Sequence, residues 1–317
     1  MSTATKVPQT RDMSGGDLSA DDAWATLRRH GIRALLRDAF LRFRYADGFS
    51  HSRALALQIC LAVVPLVIAL FGISTIVHHE APGRVLAATI LQLTPKDGRP
   101  VVSEALAGAQ ADASAGEGLA LWLGLTFALV STATGMGQIE RGANRIYGVE
   151  RDRPFPRKYG TAVMLTLLAG VPMAAGMVVT VAGGAVGVAL GQVYHWPAAA
   201  HTAWEAARWP VAVVLALLSI SFVFRRSPRR RQPGMSWLAF GAGIALVLWT
   251  ALSGLLAWYV RGSATFGATY GPLTAVMALL VWAYLSAVAL FLGLAAAAQL
   301  EAARVGGLPP ARADPGT

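Results

Sequence analysis

The chain has 317 residues, 55% of them hydrophobic and only 14% charged, with a net charge of +10. Soluble domains carry nearer about a quarter charged residues, so this chain has too little polar surface to coat a water-soluble globule, and lipid is its expected solvent. One cysteine, Cys60, excludes an intrachain disulfide and a cysteine-ligated zinc site.

Residues 1–20 mix aspartates with basic residues, contain no apolar signal core and read as a disordered N-terminus. Residues 21–46 read as one amphipathic helix. Trp24, Leu27, Ile32, Leu35, Leu36, Ala39 and Phe43 share one side at 100° per residue, and Arg29, Arg33, Arg37 and Arg44 project from the other. Arg28 and Arg42 break the pattern, with stems long enough to snorkel. Such a helix lies either in the headgroup plane or against the cytoplasmic ends of a bundle.

Six apolar runs follow, each near the roughly 20 helical residues that cross a hydrocarbon core. They cover 54–77, 119–138, 160–190, 209–224, 237–260 and 272–298 of a transmembrane domain at 47–305. The third is long and holds Pro172, which predicts a kink, and the fourth is the shortest. The connection 78–118 is the longest, with a short helix expected in "GRVLAATILQL" and a turn in "TPKDGRP". Residues 306–317 are rich in Pro, Gly and Ala and read as a disordered tail.

Placing the N-terminus in the cytoplasm puts all but five of the 27 Lys and Arg on the inside; the five are Arg84, Lys96, Arg99, Arg208 and Arg261. That asymmetry predicts six spans with both termini cytoplasmic. The loop "NRIYGVERDRPFPRKY" alternates arginines with aromatics, as a nucleic-acid surface does. Beside two spans, the same residues instead suit anionic headgroups and an interfacial aromatic belt, so lipid and not nucleic acid is the expected partner. The order of "NRIYG" exceeds what charge requires, and predicts that Asn144, Tyr147 and Gly148 form a specific turn docked under the bundle.

The spans hold no clear internal charge, which weakens a proton-coupled pump. Of their uncharged polar residues, Gln58 is the best candidate for a functional role, because a buried amide needs several partners. Gly183, Gly187 and Gly191 recur every four residues and predict close helix packing. Pro65 and Pro172 free backbone carbonyls in mid-span. The six histidines have no HExxH spacing, and no Walker loop, GxGxxG or GxSxG occurs. No catalytic residue, metal or cofactor is expected.

Three segments together resemble the YihY/BrkB family of bacterial inner-membrane proteins. "GQIERGANRIYGVERDRPFPRKY" is similar to that family's cytoplasmic loop, "TYGPLTAVMALLVWAYLSAVALFLG" to its last span, and "DGFSHSRALALQICLAVVPL" to its first. The resemblance covers roughly residues 38–305. It implies six helices with both ends inside, a role in envelope integrity, and lipid or solute export. It marks Asp47, Pro65, Asn144, Tyr147, Gly148, Tyr270, Gly271, Trp282 and Tyr284 as the recurring positions. A ribonuclease label has also attached to the family; the scattered acids beside arginines here, Glu140, Glu150 and Asp152, do not suit metal-dependent RNA cleavage. Where many members show Gly-Ala-Glu in the last span, this chain reads Gly293-Leu294-Ala295. The expected function is transport or flipping of a lipid or amphiphile in envelope maintenance. The alternative is a non-catalytic scaffold that binds anionic lipid or a partner protein.

Overall fold

A computed structural model describes residues 5–10, 18–76, 99–115, 119–176, 179–180, 197–262, 273–305 and 309–313. Among these the chain is helical, apart from a short antiparallel pairing of Thr5–Lys6 (β1) with Arg312–Ala313 (β2).

Helix α1 spans Ala20–His30 and starts on a capping box. The Ser19 hydroxyl accepts from the Asp22 amide, and the Asp22 carboxylate accepts from the Ser19 amide at 3.0 Å. Gly31 ends α1 at φ +85°, and α2 resumes over Ile32–Tyr45. The expected single helix over 21–46 is therefore two, because Gly31 takes a left-handed conformation that breaks the helical path. The expected snorkelling of Arg42 is also corrected. Arg42 is fully buried, and Arg28 lies over the Trp24 ring at 5.0 Å.

Among the described residues, six long helices follow in chain order, with one shorter helix between the first two. They are α3 (Gly48–Ile76), the shorter α4 (Arg99–Ala115), α5 (Leu119–Ile146), α6 (from Phe155 to Gly176), α7 (Ala198–Arg226), α8 (Met235–Gly262) and α9 (Thr274–Arg304). Among the described residues four of them, α6 to α9, are long and apolar enough to cross a membrane. Over the described residues the six apolar runs fall on α3 and α5 to α9, apart from Val179 and Thr180 beyond α6 and Leu273 just before α9. The ends differ. The fourth run begins at 209 by hydropathy, yet α7 begins at Ala198, since Glu205 and Arg208 pair at 2.8 Å on the helix surface instead of ending it. The loop 78–118 holds α4 at 99–115, packed on α3; the segment expected to be helical, 83–93, lies outside the described residues. In α6 the distortion is a π turn at Thr166–Gly170, just before Pro172. A proline at 172 cannot donate to the carbonyl four residues back and crowds it, and a widened turn relieves that crowding.

The two tails expected to be disordered are ordered in part. β1 pairs with β2, and Val7, Thr10 and Leu18 are buried against the bundle. Hydrogen bonds to distant backbone, invisible in composition, hold them.

Helix α9 organises one end of the molecule. Almost every residue from Phe291 to Ala302 is buried, with α1, α2, α3, α5 and α8 packed around it. The sequence "GLAAAAQLEAA" permits this, because small side chains let several helices approach one axis together. Gly241 of α8 and Gly293 of α9 meet closest. A Cβ on Gly293 would lie 2.6 Å from the Gly241 carbonyl oxygen, and one on Gly241 would lie 2.7 Å from the Gly293 carbonyl. Farther along the same pair, Trp249 donates to Ser286 at 3.0 Å and Trp282 to Ser253 at 3.2 Å.

Candidate functional site at the arginine-rich end

Where α2, the end of α5, the start of α6, the end of α7 and the end of α9 converge, the chain builds a polar junction. Its first part is the turn after α5. Asn144 is 1% exposed, and the nitrogen and oxygen of its side-chain amide serve two different segments. Its amide nitrogen donates to Asp152 Oδ1 at 2.9 Å, and its side-chain oxygen accepts from the Arg229 amide at 2.8 Å. Its backbone carbonyl accepts from the Val149 amide at 2.8 Å. One residue thus ties the 149–153 loop to the connection between α7 and α8. Gly148 makes the turn at φ +72°; a Cβ there would lie 2.7 Å from the Val7 carbonyl and the Gln9 amide. Only glycine fits both the backbone conformation and the N-terminal segment passing beneath it.

The second part is Arg153. Its guanidinium donates to the carbonyls of Arg226, Ser227 and Pro228 at 2.7–3.0 Å, and its Nη1 pairs with Glu140 at 3.0 Å. It supplies donors and positive charge to the carbonyl end of α7, where a helix has neither. Glu140, itself 2% exposed, is matched in turn by the Arg153 side chain and backbone amide.

The third part is buried deepest. Arg42 donates from Nε to Gln299 at 2.8 Å and from Nη1 to the Ile146 carbonyl at 2.9 Å. Burial pulls its pKa down to about 10, so it stays charged at neutral pH. Glu301 is 1% exposed and accepts from Arg230 at 2.9 Å and from the Tyr147 hydroxyl at 3.5 Å. Arg230 also lies over the Tyr147 ring at 4.6 Å and donates to the Thr10 hydroxyl. Burial and the Glu301 carboxylate push the Tyr147 phenol well above its usual value, which keeps it a donor.

Asp152 completes the set. Its Oδ2 lies 2.8 Å from Lys158 Nζ and 3.6 Å from Arg141 Nε. Burial raises its pKa, but the hydrogen bonds from Lys158 and Asn144, with the charges of Lys158 and Arg141, bring the net shift below the usual carboxylate range. All six carboxylate oxygens of Glu140, Asp152 and Glu301 therefore have donors within reach. The acids hold the interior arginines, while Arg141, Arg151, Arg157, Arg225, Arg226 and Arg229 are exposed around them.

Among the sequence-derived candidates, the junction brings together Asn144, Tyr147 and Gly148. The others lie apart. Asp47 sits in the link between α2 and α3 at φ 55°. Gln58 is half-buried on α3, and its side-chain oxygen lies 2.9 Å from the Thr134 hydroxyl of α5. Pro65 is inside α3. Trp282 faces Ser253, and Tyr284 is half-buried on α9. Tyr270, Gly271 and the glycine stripe Gly183, Gly187 and Gly191 lie outside the described residues. Sequence reasoning missed Arg42, Arg153, Arg230, Gln299 and Glu301. The signal for the last two was present: a polar pair continuing an alanine-rich helix beyond its hydropathy limit. The buried carboxylate of α9 is Glu301, whereas position 295 is a fully buried alanine.

Comparison with known proteins gives this arrangement its setting. A family model described as Virulence factor BrkB matches residues 39–316. The chain is 25% identical over 260 residues to a Bacillus subtilis protein named ribonuclease-like protein YfkH, covering 82% of this chain and 92% of that one. It is 27% identical over 288 residues to a UPF0761 membrane protein of Chromohalobacter salexigens, covering 88% of this chain but 65% of the relative. No solved structure matches. The match runs from α2 through the junction to the C-terminal tail, and the chain belongs to the Virulence factor BrkB family.

Proposed function

We propose that this chain is a multi-pass protein of the bacterial inner membrane with six spans and both termini cytoplasmic, which moves a lipid or amphiphile in envelope maintenance. The membrane placement is supported by the outer surface of the helices. Leu57 and Leu61 on α3, Phe127 and Val130 on α5, Val214 and Leu218 on α7, and Val247 and Leu255 on α8 are all exposed. An apolar surface on that scale belongs in lipid. Aromatics set its far limit: Trp122, Trp209 and Trp258 are 68%, 55% and 71% exposed. At 1.5 Å per residue, Trp122 to Arg141 and Trp258 to Trp237 each span about 30 Å, and Trp209 to Arg225 about 24 Å, close to a hydrocarbon core.

The observation that carries the transport reading is the pair Gln58–Thr134. It is half-buried inside the apolar zone, and the single Thr134 proton is shared between Gln58 and the Ser131 carbonyl at 2.9 and 2.7 Å. Among the described residues the Gln58 side-chain amide has no hydrogen bond beside the one from Thr134, and a half-buried amide of that kind can bind a passing headgroup. The test is reconstitution into liposomes with fluorescent phospholipid. Wild type should speed redistribution between leaflets, and Gln58→Leu should abolish it without loss of folded protein. Equal rates with and without wild-type protein would sink the transport reading.

The alternative is a scaffold whose arginine-rich end gathers anionic lipid or a partner protein; it is favoured by the cluster of exposed arginines and does not need Gln58. A ribonuclease is the least supported reading, because the carboxylates near this end are already engaged by cations or amides. RNA cleavage by purified protein that disappears in Glu140→Gln would overturn that judgement.

A further inference from the structure

Helix α2 presents three stripes, not two. Leu35, Ala39, Arg42 and Phe43 turn toward the bundle and are buried. Ile32, Leu36 and Phe40, spaced four residues apart, are 57%, 47% and 46% exposed. Arg33, Arg37 and Arg44 are exposed on the adjoining stripe. The buried face already satisfies the bundle, so the open apolar stripe is surplus to folding and would be unfavourable in water. It also continues into the transmembrane domain. The Phe40 ring lies 6.4 Å from Phe49, which sits in the first turn of α3 and packs on Phe43 at 4.8 Å.

We infer that α2 is a wedge in the headgroup layer of an anionic leaflet, with Ile32, Leu36 and Phe40 at the acyl boundary and Arg33, Arg37 and Arg44 on lipid phosphates. Charge complementarity selects this occupant. A second copy docking through the same face would bring two arginine rows together, whereas anionic phospholipid supplies both an apolar layer and a row of phosphates. The two alternatives for the N-terminal helix, headgroup plane or bundle, are thus both met, by different stripes. This inference rests on the membrane placement proposed above but not on transport.

Nitroxide labels on single cysteines in a Cys60→Ser background test it, in the full chain in nanodiscs of phosphatidylglycerol or phosphatidylcholine. Labels at 36 and 40 should collide with oxygen and be shielded from a water-soluble nickel chelate, with the reverse at 33 and 37. Positions 36 and 40 should move deeper in phosphatidylglycerol, and the combined Arg33→Gln, Arg37→Gln and Arg44→Gln variant should lose that difference. Chelate reaching 36 and 40 freely would overturn the proposal, as would shielding from both relaxants, which means a protein covers the face. A label at Val247, exposed on α8, serves as the control. If it too is open to the chelate, the membrane placement itself has failed; if it is oxygen-accessible while 36 and 40 are not, only the wedge has.

Discussion

Three side chains define what the arginine-rich end demands at single positions. Asn144→Ala removes two hydrogen bonds, the one to Asp152 Oδ1 and the one from the Arg229 amide, and with them the tie between the two connections. It should cost about 2–3 kcal/mol. Gly148→Val adds positive-φ strain to a collision with backbone and should lower thermal stability at least as far. Arg151→Ala, an exposed residue whose side chain carries none of the hydrogen bonds described here, should stay within about 0.5 kcal/mol. Thermal unfolding of the three detergent-solubilised variants checks the order; equal midpoints would refute it. Glu301→Gln strips the counter-charge from Arg230 and should cost about 3–5 kcal/mol, more than the exposed Arg151→Ala. Asp152 carries a pH prediction. Its folded pKa lies below the unfolded value, so its stabilisation is complete above the unfolded value of about 4 and is lost as pH falls through the folded one. Asp152→Asn should therefore flatten the thermal midpoint against pH on the acid side of 4, modestly, because the carboxylate is 39% exposed. An unchanged acid limb would contradict it.

At the scale of elements, hydropathy located helices but not their ends. The apolar run of α5 stops at 138, yet the helix continues to Ile146 with Glu140 and Asn144 buried in its last turns. Those residues look like loop in isolation, because their partners, Arg153 and Arg229, lie elsewhere in the chain. Gln299 and Glu301 extended α9 for the same reason, and Arg42 is 257 residues from its partner Gln299. One sequence supplies no means to pair them. The docked turn was legible, since "NRIYG" has more order than charge or hydropathy explains. The close α8–α9 contact was not, because Gly241 and Gly293 lack the four-residue repeat that drew notice to Gly183, Gly187 and Gly191. Space now separates the glycines by role. Gly293→Val should drive α8 and α9 apart and reduce the yield of folded protein, while Gly243→Ala, which meets nothing within 4 Å, should leave it unchanged. Size-exclusion profiles of the two variants decide the matter; matching monodisperse peaks would mean the α8–α9 backbone contact is dispensable.

For the whole molecule, the junction bears on the parity of the proposed crossings. Hydrogen bonds and ion pairs tie the ends of α5, α7 and α9 to the connection before α6 and the connection before α8. α2 joins them through Arg42, and the N-terminal segment through Thr10. Pairing of β1 with β2 sets the two tails side by side. Every long helix therefore has one end at this junction, and consecutive helices run in opposite directions. Even parity of this kind is what the proposed six crossings with both tails on one side require, and the positive-inside rule would place the exposed arginines of that side in the cytoplasm. Single cysteines in a Cys60→Ser background put this to the test in intact spheroplasts. An impermeant maleimide should label Ala199→Cys, at the far end of α7, without disrupting the membrane. It should reach Arg151→Cys and Arg231→Cys, on the two connections joined by Asn144, only after permeabilisation. If Arg151→Cys and Ala199→Cys react from the same side, α6 and α7 cannot cross as described. If Arg151→Cys and Arg231→Cys react from opposite sides, the Asn144 link between their connections does not exist in the membrane.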